Sequence, residues 1–370
     1  MFIEGISLKN YRNYDSLDLK INKRFNVIYG YNAQGKTNIL EAIFICSSGR
    51  SHRTPRDYEL IKLGQKEYNI KLKVKRSILD AEIDISYEKE GKKKIRINEI
   101  PLKKIGDLMG NLNTVIFSPE DLLIIKEGPS ERRRFIDITI SQLRPAYFYD
   151  LQQYAKILEQ RNTLLKEIQN KKNLLDTLEV WNQNLITTGS KIIKARQQFI
   201  EKLSLYAKQE HLKLSGGNEN LDIKYDPSFN ISDFSRLESI KSEFENSLNR
   251  IKERELIKGT TLIGPQRDDY DIFLDEKSIK IFGSQGQQRT AVLSVKMAEI
   301  NIMKEETGEW PVLLLDDVMS ELDTKRQEYL FENLEEIQVF ITCTEKGFFS
   351  AQAIEKADFF RVTAGMVQNE

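Results

Sequence analysis

Cysteine is scarce in this 370-residue chain: Cys46 and Cys343 are the only two, far apart and each inside an apolar stretch. That pattern fits buried thiols in a reducing compartment rather than a disulfide framework. No eighteen apolar residues run together, and the opening MFIEGISLKNYRNY has no basic segment followed by an apolar one. Neither export nor membrane insertion is therefore expected, and the cytoplasm is the expected location. No sign of charge prevails: 56 Lys+Arg stand against 56 Asp+Glu, for a formal net charge of zero. Any nucleic-acid contact must then use local patches, because no field of one sign covers the molecule. Histidine is nearly absent, at His52 and His211, and no internal repeat or low-complexity segment is evident. What remains is 40% hydrophobic, enough for the core of one large domain or two ordinary ones.

The most informative stretch is GYNAQGKTNILE, from Gly30 to Glu41, after the apolar run Phe25–Tyr29 and before helically spaced residues over 37–46. The spacing Gly30-x-x-x-x-Gly35-Lys36-Thr37 between a strand and a helix is the phosphate-binding loop pattern. Glycines let the backbone turn its N–H groups inward, and the helix adds free donors and the positive end of its dipole. The nucleotide-binding candidates are Gly30, Tyr31, Asn32, Ala33, Gln34, Gly35, Lys36, Thr37 and Asn38. Lys36 would reach the β- and γ-phosphates, and the Thr37 hydroxyl would complete the coordination of Mg²⁺, which prefers oxygen ligands. A glycine turn capping an ordinary helix is the plainer alternative, and the strand–loop–helix context argues against it.

Such a site needs a carboxylate on a neighbouring strand. Val312-Leu313-Leu314-Leu315-Asp316-Asp317 supplies one: four apolar residues of a buried parallel strand deliver Asp316 to the carboxyl edge of the sheet. Asp316 is the second expected Mg²⁺ ligand, and Asp317 is placed to orient or deprotonate an attacking water. About 280 residues separate Lys36 from Asp316, so a large insertion must intervene and the nucleotide domain is built from both ends of the chain.

The insertion reads as helical. Apolar residues at helical spacing over 151–168 and 174–203, with a polar break at Asn170–Asn173, predict two long antiparallel helices with Lys171 and Lys172 at their tip. A further helix is expected from Leu237 to Ile251. In the first third, Tyr68–Val74 and Ala81–Tyr87 alternate as a hairpin, and short strands are expected at Ile95–Ile97 and Val115–Phe117. In the last third a hairpin is expected from Tyr270–Leu274 and Ser278–Phe282, then a helix from Ser284 to about Glu306, then strands at Val339–Thr342 and Phe359–Val362.

Ser284-Gln285-Gly286-Gln287-Gln288 opens that helix, with Ser284 at the N-cap and Gly286 allowing close approach. A capped helix is its ordinary meaning. A glycine loop, a serine-capped helix some thirty residues before LLLDD, and Ser320-Glu321-Leu322-Asp323 directly after it resemble the order found in ABC-type and SMC-type ATPase heads. There the serine motif of one subunit closes on the nucleotide of the other, which would make Ser284, Gln285 and Gly286 part of a shared site.

The resemblance sharpens on Lys9-Asn10-Tyr11-Arg12-Asn13-Tyr14, GYNAQGKTNILEAI (30–43), Ser51-His52-Arg53-Thr54, FSPEDL (117–122), GPSERRRF (128–135), GPQRDD (264–269), SQGQQR (284–289) and LLLDDVMSELD (313–323). Over nearly its whole length the chain is similar to the bacterial RecF family. That resemblance implies an α/β fold: an ABC-type P-loop ATPase head, with a mixed sheet plus an antiparallel meander, over 1–125 and 260–370, and an inserted helical arm over 126–259. It implies a weak, DNA-stimulated ATPase of recombinational repair, with ATP and Mg²⁺ as cofactors. The implied partners are DNA, duplex or at gaps and single-strand junctions, a second copy of the chain with ATP, and the RecO and RecR proteins that load recombinase. No membrane partner is implied.

Two departures bear on mechanism. Gln266 stands where many relatives carry histidine, and 339–345 lacks the histidine that ABC transporters place after the carboxylate strand, leaving Thr342 or Thr344 to contact the γ-phosphate. Slow hydrolysis is expected, which suits a clamp better than a pump. A transporter subunit, which would need that histidine, and a scaffold that binds nucleotide without turnover are the rival readings. For DNA, the candidate clusters are Lys92–Lys94, Lys103-Lys104, Arg132–Arg134 and Lys171-Lys172. Successive arginines at 132–134 point around a helix, so some are expected to pair with carboxylates instead.

Overall fold

The computed structural model describes residues 1–319, 323, 326–327, 329–330, 334–345 and 357–369. The chain divides into two compact units, Met1–Asp121 with Lys296–Glu370, and Leu122–Val295.

The first unit holds two six-stranded sheets. One is an antiparallel meander of β1 (Phe2–Tyr11), β2 (Tyr14–Lys20), β4 (Glu67–Lys75), β5 (Ala81–Glu88), β6 (Lys94–Ile97) and β7 (Ile100–Pro101), in the order β2-β1-β4-β5-β6-β7. Its period is two: Tyr68, Ile70, Leu72 and Val74 are buried on one face while Lys73 and Lys75 stay in water. The other sheet contains β3 (Phe25–Tyr29), β8 (Thr114–Phe117), β12 (Val312–Asp316), β13 (Val339–Cys343), β14 (Ala357–Thr363) and β15 (Met366–Asn369), ordered β15-β14-β3-β13-β12-β8. Five of its strands are parallel, and β15 returns antiparallel on β14. Its central strands are apolar apart from buried Asn26 and Thr342, because both faces are covered. Helix α1 (Lys36–Ser48) follows β3 and is buried almost all round, against strands of both sheets. An apolar stripe of one face would not suffice there, which is why Ile39, Leu40, Ala42, Ile43, Phe44, Ile45 and Cys46 run nearly unbroken.

The carboxylate strand β12 is not next to β3. Strand β13 lies between them, pairing Thr342 with Ile28 on one side and with Asp316 on the other. Two consecutive apolar strands of similar length gave no means of ranking their order from the sequence.

The second unit contains α2 (Leu123–Lys126), α3 (Pro129–Leu143), α4 (Pro145–Ile168), α5 (Thr177–Ser215), β9 (Leu221–Asp226), α6 (Leu237–Lys258), β10 (Asp269–Leu274), β11 (Lys277–Ser278), α7 (Ile279–Phe282) and the start of α8 (Gln285–Thr307). Helices α4 and α5 run antiparallel: Arg161 bonds Asn182, and Leu164, Leu165 and Ile168 pack with Leu178 and Trp181. Arg161 is buried yet fully engaged, donating to Asn182 Oδ1 (2.9 Å), Thr261 Oγ1 (2.7 Å) and Glu255 Oε2 (2.6 Å). Asn162, the polar gap in the helical pattern, accepts from the Thr261 N–H and hydroxyl at 2.7 Å each. Residues 260–295 group with this unit because β10 pairs along its length with β9, a strand whose alternation at Leu221, Ile223 and Tyr225 follows the Gly216-Gly217 break and was missed from the sequence.

The hairpin expected at Ser278–Phe282 is corrected. Only Lys277 and Ser278 pair with β10; Ile279–Phe282 make a helical turn closed by the Gly283 N–H on the Ile279 carbonyl. Ile281 and Phe282 are solvent-exposed, so no buried face exists to hold them as a strand.

Candidate functional site: the Gly30–Asn38 loop and its carboxylates

The loop between β3 and α1 requires glycine at two places. At Gly30 (φ +146°) a Cβ would lie 2.4 Å from the Val362 carbonyl oxygen, and at Gly35 (φ +111°) it would lie 2.4 Å from the Asn13 amide. Three groups brace the loop from behind. Asn13 Nδ2 donates to the Gln34 carbonyl (2.7 Å) and its Oδ1 accepts from Asn38 Nδ2 (2.8 Å). The Tyr14 hydroxyl donates to the Gly35 carbonyl (3.0 Å). Gln34 is held by the N–H groups of Ala364 and Gly365, on the turn between β14 and β15. The outer side, at Tyr31, Asn32 and Ala33, is exposed. Nothing local in the sequence marks Asn13 and Tyr14 as loop-holding residues beyond their membership of the Lys9–Tyr14 motif.

Lys36 is buried and folds back on the loop, donating to the carbonyls of Gly30 (2.7 Å) and Tyr31 (3.0 Å). Burial lowers its pKa, against the opposing pull of Asp317, Cys343 and Asp316. The Thr37 hydroxyl donates to Asp316 Oδ1 at 2.8 Å. Thr342 donates to the same oxygen at 2.7 Å and accepts from the Asp317 N–H at 2.9 Å. The structure therefore brings Lys36, Thr37, Asp316 and Asp317 to one sheet edge, with Thr342 as the joint between the two carboxylate residues. Asp317 has φ +55°, a left-handed conformation unusual for a non-glycine residue. Burial raises its pKa, Lys36 lowers it and Asp316 raises it. Cys343, next along β13, is buried, and its thiol is pushed up to about 12.

A second cluster stands behind α1. The Glu41 carboxylate, with no exposed surface, accepts from Arg12 Nε (2.9 Å), Arg12 Nη2 (2.7 Å), the Tyr11 hydroxyl (3.1 Å) and the Ser51 hydroxyl, with Arg53 3.5 Å away. Burial alone would push this carboxyl up, but the bonds from Arg12 and Ser51 and the nearby guanidiniums outweigh it and hold it below the ordinary range. The motifs at Lys9–Tyr14 and Ser51–Thr54 thus meet on one residue of the loop helix.

Ser284, Gln285 and Gly286 belong to the second unit and are exposed. Ser284 is the N-cap of α8 in a reciprocal box: its hydroxyl accepts from the Gln287 N–H (3.2 Å), and its own N–H donates to Gln287 Oε1 (2.9 Å). Ser320, Glu321 and Leu322 lie outside the described residues.

The basic clusters divide. Arg132 is buried and bidentate to Asp269, at 2.7 and 2.6 Å, and Arg133 donates to the Asp268 carbonyl at 2.7 Å. Lys93 pairs with Asp57 and donates to the Gly49 carbonyl. Lys92, Lys94, Lys103, Lys104, Lys171 and Lys172 are exposed. The Gly264–Asp269 motif is a hub within the second unit. Gln266 accepts from the Tyr154 hydroxyl and donates to the Ile263 carbonyl, Arg196 holds the Pro265 carbonyl at 2.6 Å, and buried Asp268 accepts from Tyr225 and the Ser228 N–H.

Residues 2–367 match the family described as the RecF/RecN/SMC N terminal domain. A DNA replication and repair protein RecF from Acetivibrio thermocellus is 57% identical over 99% of both chains, and one from Ruminiclostridium cellulolyticum is 51% identical over the whole of both. Among solved structures, a recombination mediator protein RecF of the RecFOR pathway with ATPrS superposes with TM-score 0.94 at 39% identity, over 100% of this chain and 98% of that one. An Smc head domain from Pyrococcus furiosus superposes with TM-score 0.56 at 16% identity, over 100% of this chain and 96% of the other, a likeness of fold. Among the described residues no helix is long and apolar enough to cross a membrane.

Proposed function

The chain belongs to the RecF/RecN/SMC N-terminal domain family and has its ABC-type ATPase head fold, and from that premise we propose that it is an ATP-dependent DNA-binding protein of recombinational DNA repair. In this reading ATP lies on the Gly30–Asn38 loop of one copy and is closed by Ser284, Gln285 and Gly286 of a second. The ATP-bridged dimer holds DNA at gaps or junctions and acts with RecO and RecR in loading recombinase, and slow, DNA-stimulated hydrolysis releases it. Support comes from the curated relatives named for DNA replication and repair and from solved RecF structures named with ATP and ATPrS.

The observation that carries the reading is the convergence of Thr37 and Thr342 on one oxygen of Asp316, beside a lysine held on the loop's own carbonyls. A hydroxyl and a carboxylate 2.8 Å apart are hard oxygen donors, which fits Mg²⁺ better than a softer ion. Bound there, the ion would neutralise charge on the β- and γ-phosphates. Lys36 would exchange the Gly30 and Tyr31 carbonyls for phosphate oxygens, recovering the charge interactions its burial costs. Asp317, whose pKa burial pushes up from the ordinary aspartate value, suits the proton acceptor for an attacking water. Of the basic groups, the lysines at 92, 94, 103, 104, 171 and 172 are exposed on the surface where phosphates could meet them, whereas Arg132 is buried against Asp269.

The test is sedimentation of the full chain with and without Mg-ATP. Wild type dimerises with the nucleotide; Lys36→Met abolishes this by losing ATP, whereas Ser284→Arg keeps ATP and stays monomeric. A Ser284→Arg protein that still dimerised would refute the shared site.

A further inference from the structure

Inside the second unit, five side chains form a continuous path of hydrogen bonds from the exposed Ser284 to the interior. Ser284 and Gln287 exchange bonds in the capping box. Gln287 Nε2 donates to Glu219 Oε1 at 2.8 Å; Glu219 Oε2 lies 3.0 Å from His211 Nε2; and His211 Nδ1 lies 3.1 Å from Ser294 Oγ. His211 is fully buried on α5. Glu219 sits on a short connection that is itself pinned: Asn218 Nδ2 donates to the Ser215 carbonyl (3.1 Å), and Asn220 and Asp275 exchange bonds at 3.1 and 3.0 Å.

The Ser294 hydroxyl donates to the Thr290 carbonyl at 2.8 Å, which leaves its lone pairs toward His211, and the Glu219 carboxylate can only accept.

A serine cap needs only its own helix, and nothing in the phosphate chemistry uses His211 or Glu219. The first turn of a helix, with unsatisfied N–H groups and water on one side, is where a helix opens most readily. A glutamine in a capping box has several rotatable bonds, and an immobile charged acceptor on its far end removes that freedom. We propose that Glu219 and His211 are positioning residues for Ser284: through Gln287 they fix the direction of its hydroxyl and of the free N–H groups behind it, so that the site offered to a second copy's nucleotide is preformed. This rests on the reading that Ser284 closes on that nucleotide.

The test uses the full chain with Glu219→Ala and Glu219→Gln. Without nucleotide, Glu219→Ala speeds hydrogen exchange of the Gln287 amide about tenfold; with Mg-ATP it raises the concentration for half-association about tenfold, while ATP affinity stays within about twofold. Glu219→Gln, whose amide oxygen can still meet Gln287, recovers most of both effects. Unchanged exchange in Glu219→Ala overturns the proposal, as does a joint fall in melting temperature and ATP affinity, which marks a merely structural residue. Should Glu219→Ala not fold, His211→Gln takes its place with the same expectations. If wild type itself stays monomeric with Mg-ATP, the shared-site reading fails, and the exchange measurement still decides whether Glu219 holds Ser284.

Discussion

Thr342 and Asp316, opposite each other on the parallel strands β13 and β12, are joined by a 2.7 Å hydrogen bond from hydroxyl to carboxylate, and the same hydroxyl oxygen receives the Asp317 N–H. One buried side chain thereby sets both the rotamer of the carboxylate facing Thr37 and the backbone turn that carries the next aspartate. Thr342→Val keeps the shape and removes both bonds. Leaving a half-buried N–H unpaired costs at most about 1–3 kcal/mol. We expect a matching loss in denaturant unfolding and an ATP hydrolysis rate lowered more than ATP affinity, checked by phosphate release and nucleotide titration.

Asp317→Asn is expected to keep ATP binding and to lower hydrolysis by about 10²–10⁴-fold, the usual worth of a positioned general base. Its raised pKa fixes the sign of the pH dependence. The base works only when ionised, so the rate falls with falling pH through a midpoint above the ordinary aspartate value of about 3.9. A wild-type pH–rate profile carries that step, and the residual rate of the variant lacks it.

Glu41 predicts a different pH effect, on stability. Its folded pKa lies below the unfolded value, so the carboxylate contributes stability that is fully present above about 4.3 and is lost as pH falls through the lower folded value. In Glu41→Gln the acid limb attributable to this group disappears. Urea unfolding of both proteins between neutral and acid pH measures the difference.

Arg132 and the exposed lysines separate structure from DNA contact. Arg132→Ala leaves Asp269 as an uncompensated, largely buried charge, with an expected cost of about 3–5 kcal/mol. The salt slope of DNA binding by the folded fraction stays unchanged. Lys171→Ala with Lys172→Ala leaves stability alone and, if both meet phosphates, flattens that slope by about two units. Binding titrations over a range of salt concentrations distinguish the two.

Much of this arrangement was legible because local pattern and chemistry coincide. The Phe25–Tyr29 strand, the glycine loop, α1 and the apolar strand ending in Asp316 stand where the spacing put them. The two long helices α4 and α5 followed from an apolar period sustained over many turns. The rest depends on contacts between distant residues. Strand order could not be read, so the place of β13 between β3 and β12 was missed, and with it the bridging position of Thr342. Asn13 is an ordinary turn residue until the fold carries it under Gln34, and Glu41 looks like a helix-surface glutamate until Arg12 and Ser51 close on it. At Ile279–Phe282 alternation failed, because Ile279-Lys280-Ile281-Phe282 is too short a pattern to separate a strand from a helical turn.

The latch on Gln34 also has a consequence for biosynthesis. The glutamine is captured by a residue 330 positions downstream, and β3 pairs on both sides with strands made after residue 338. At about 5–20 residues per second, a ribosome needs on the order of 15–60 s to travel from one to the other. Throughout that interval the nascent chain carries the Gly30–Asn38 sequence without the strands and the turn that hold it, so the braced form of the loop can arise only after residue 365 has been made.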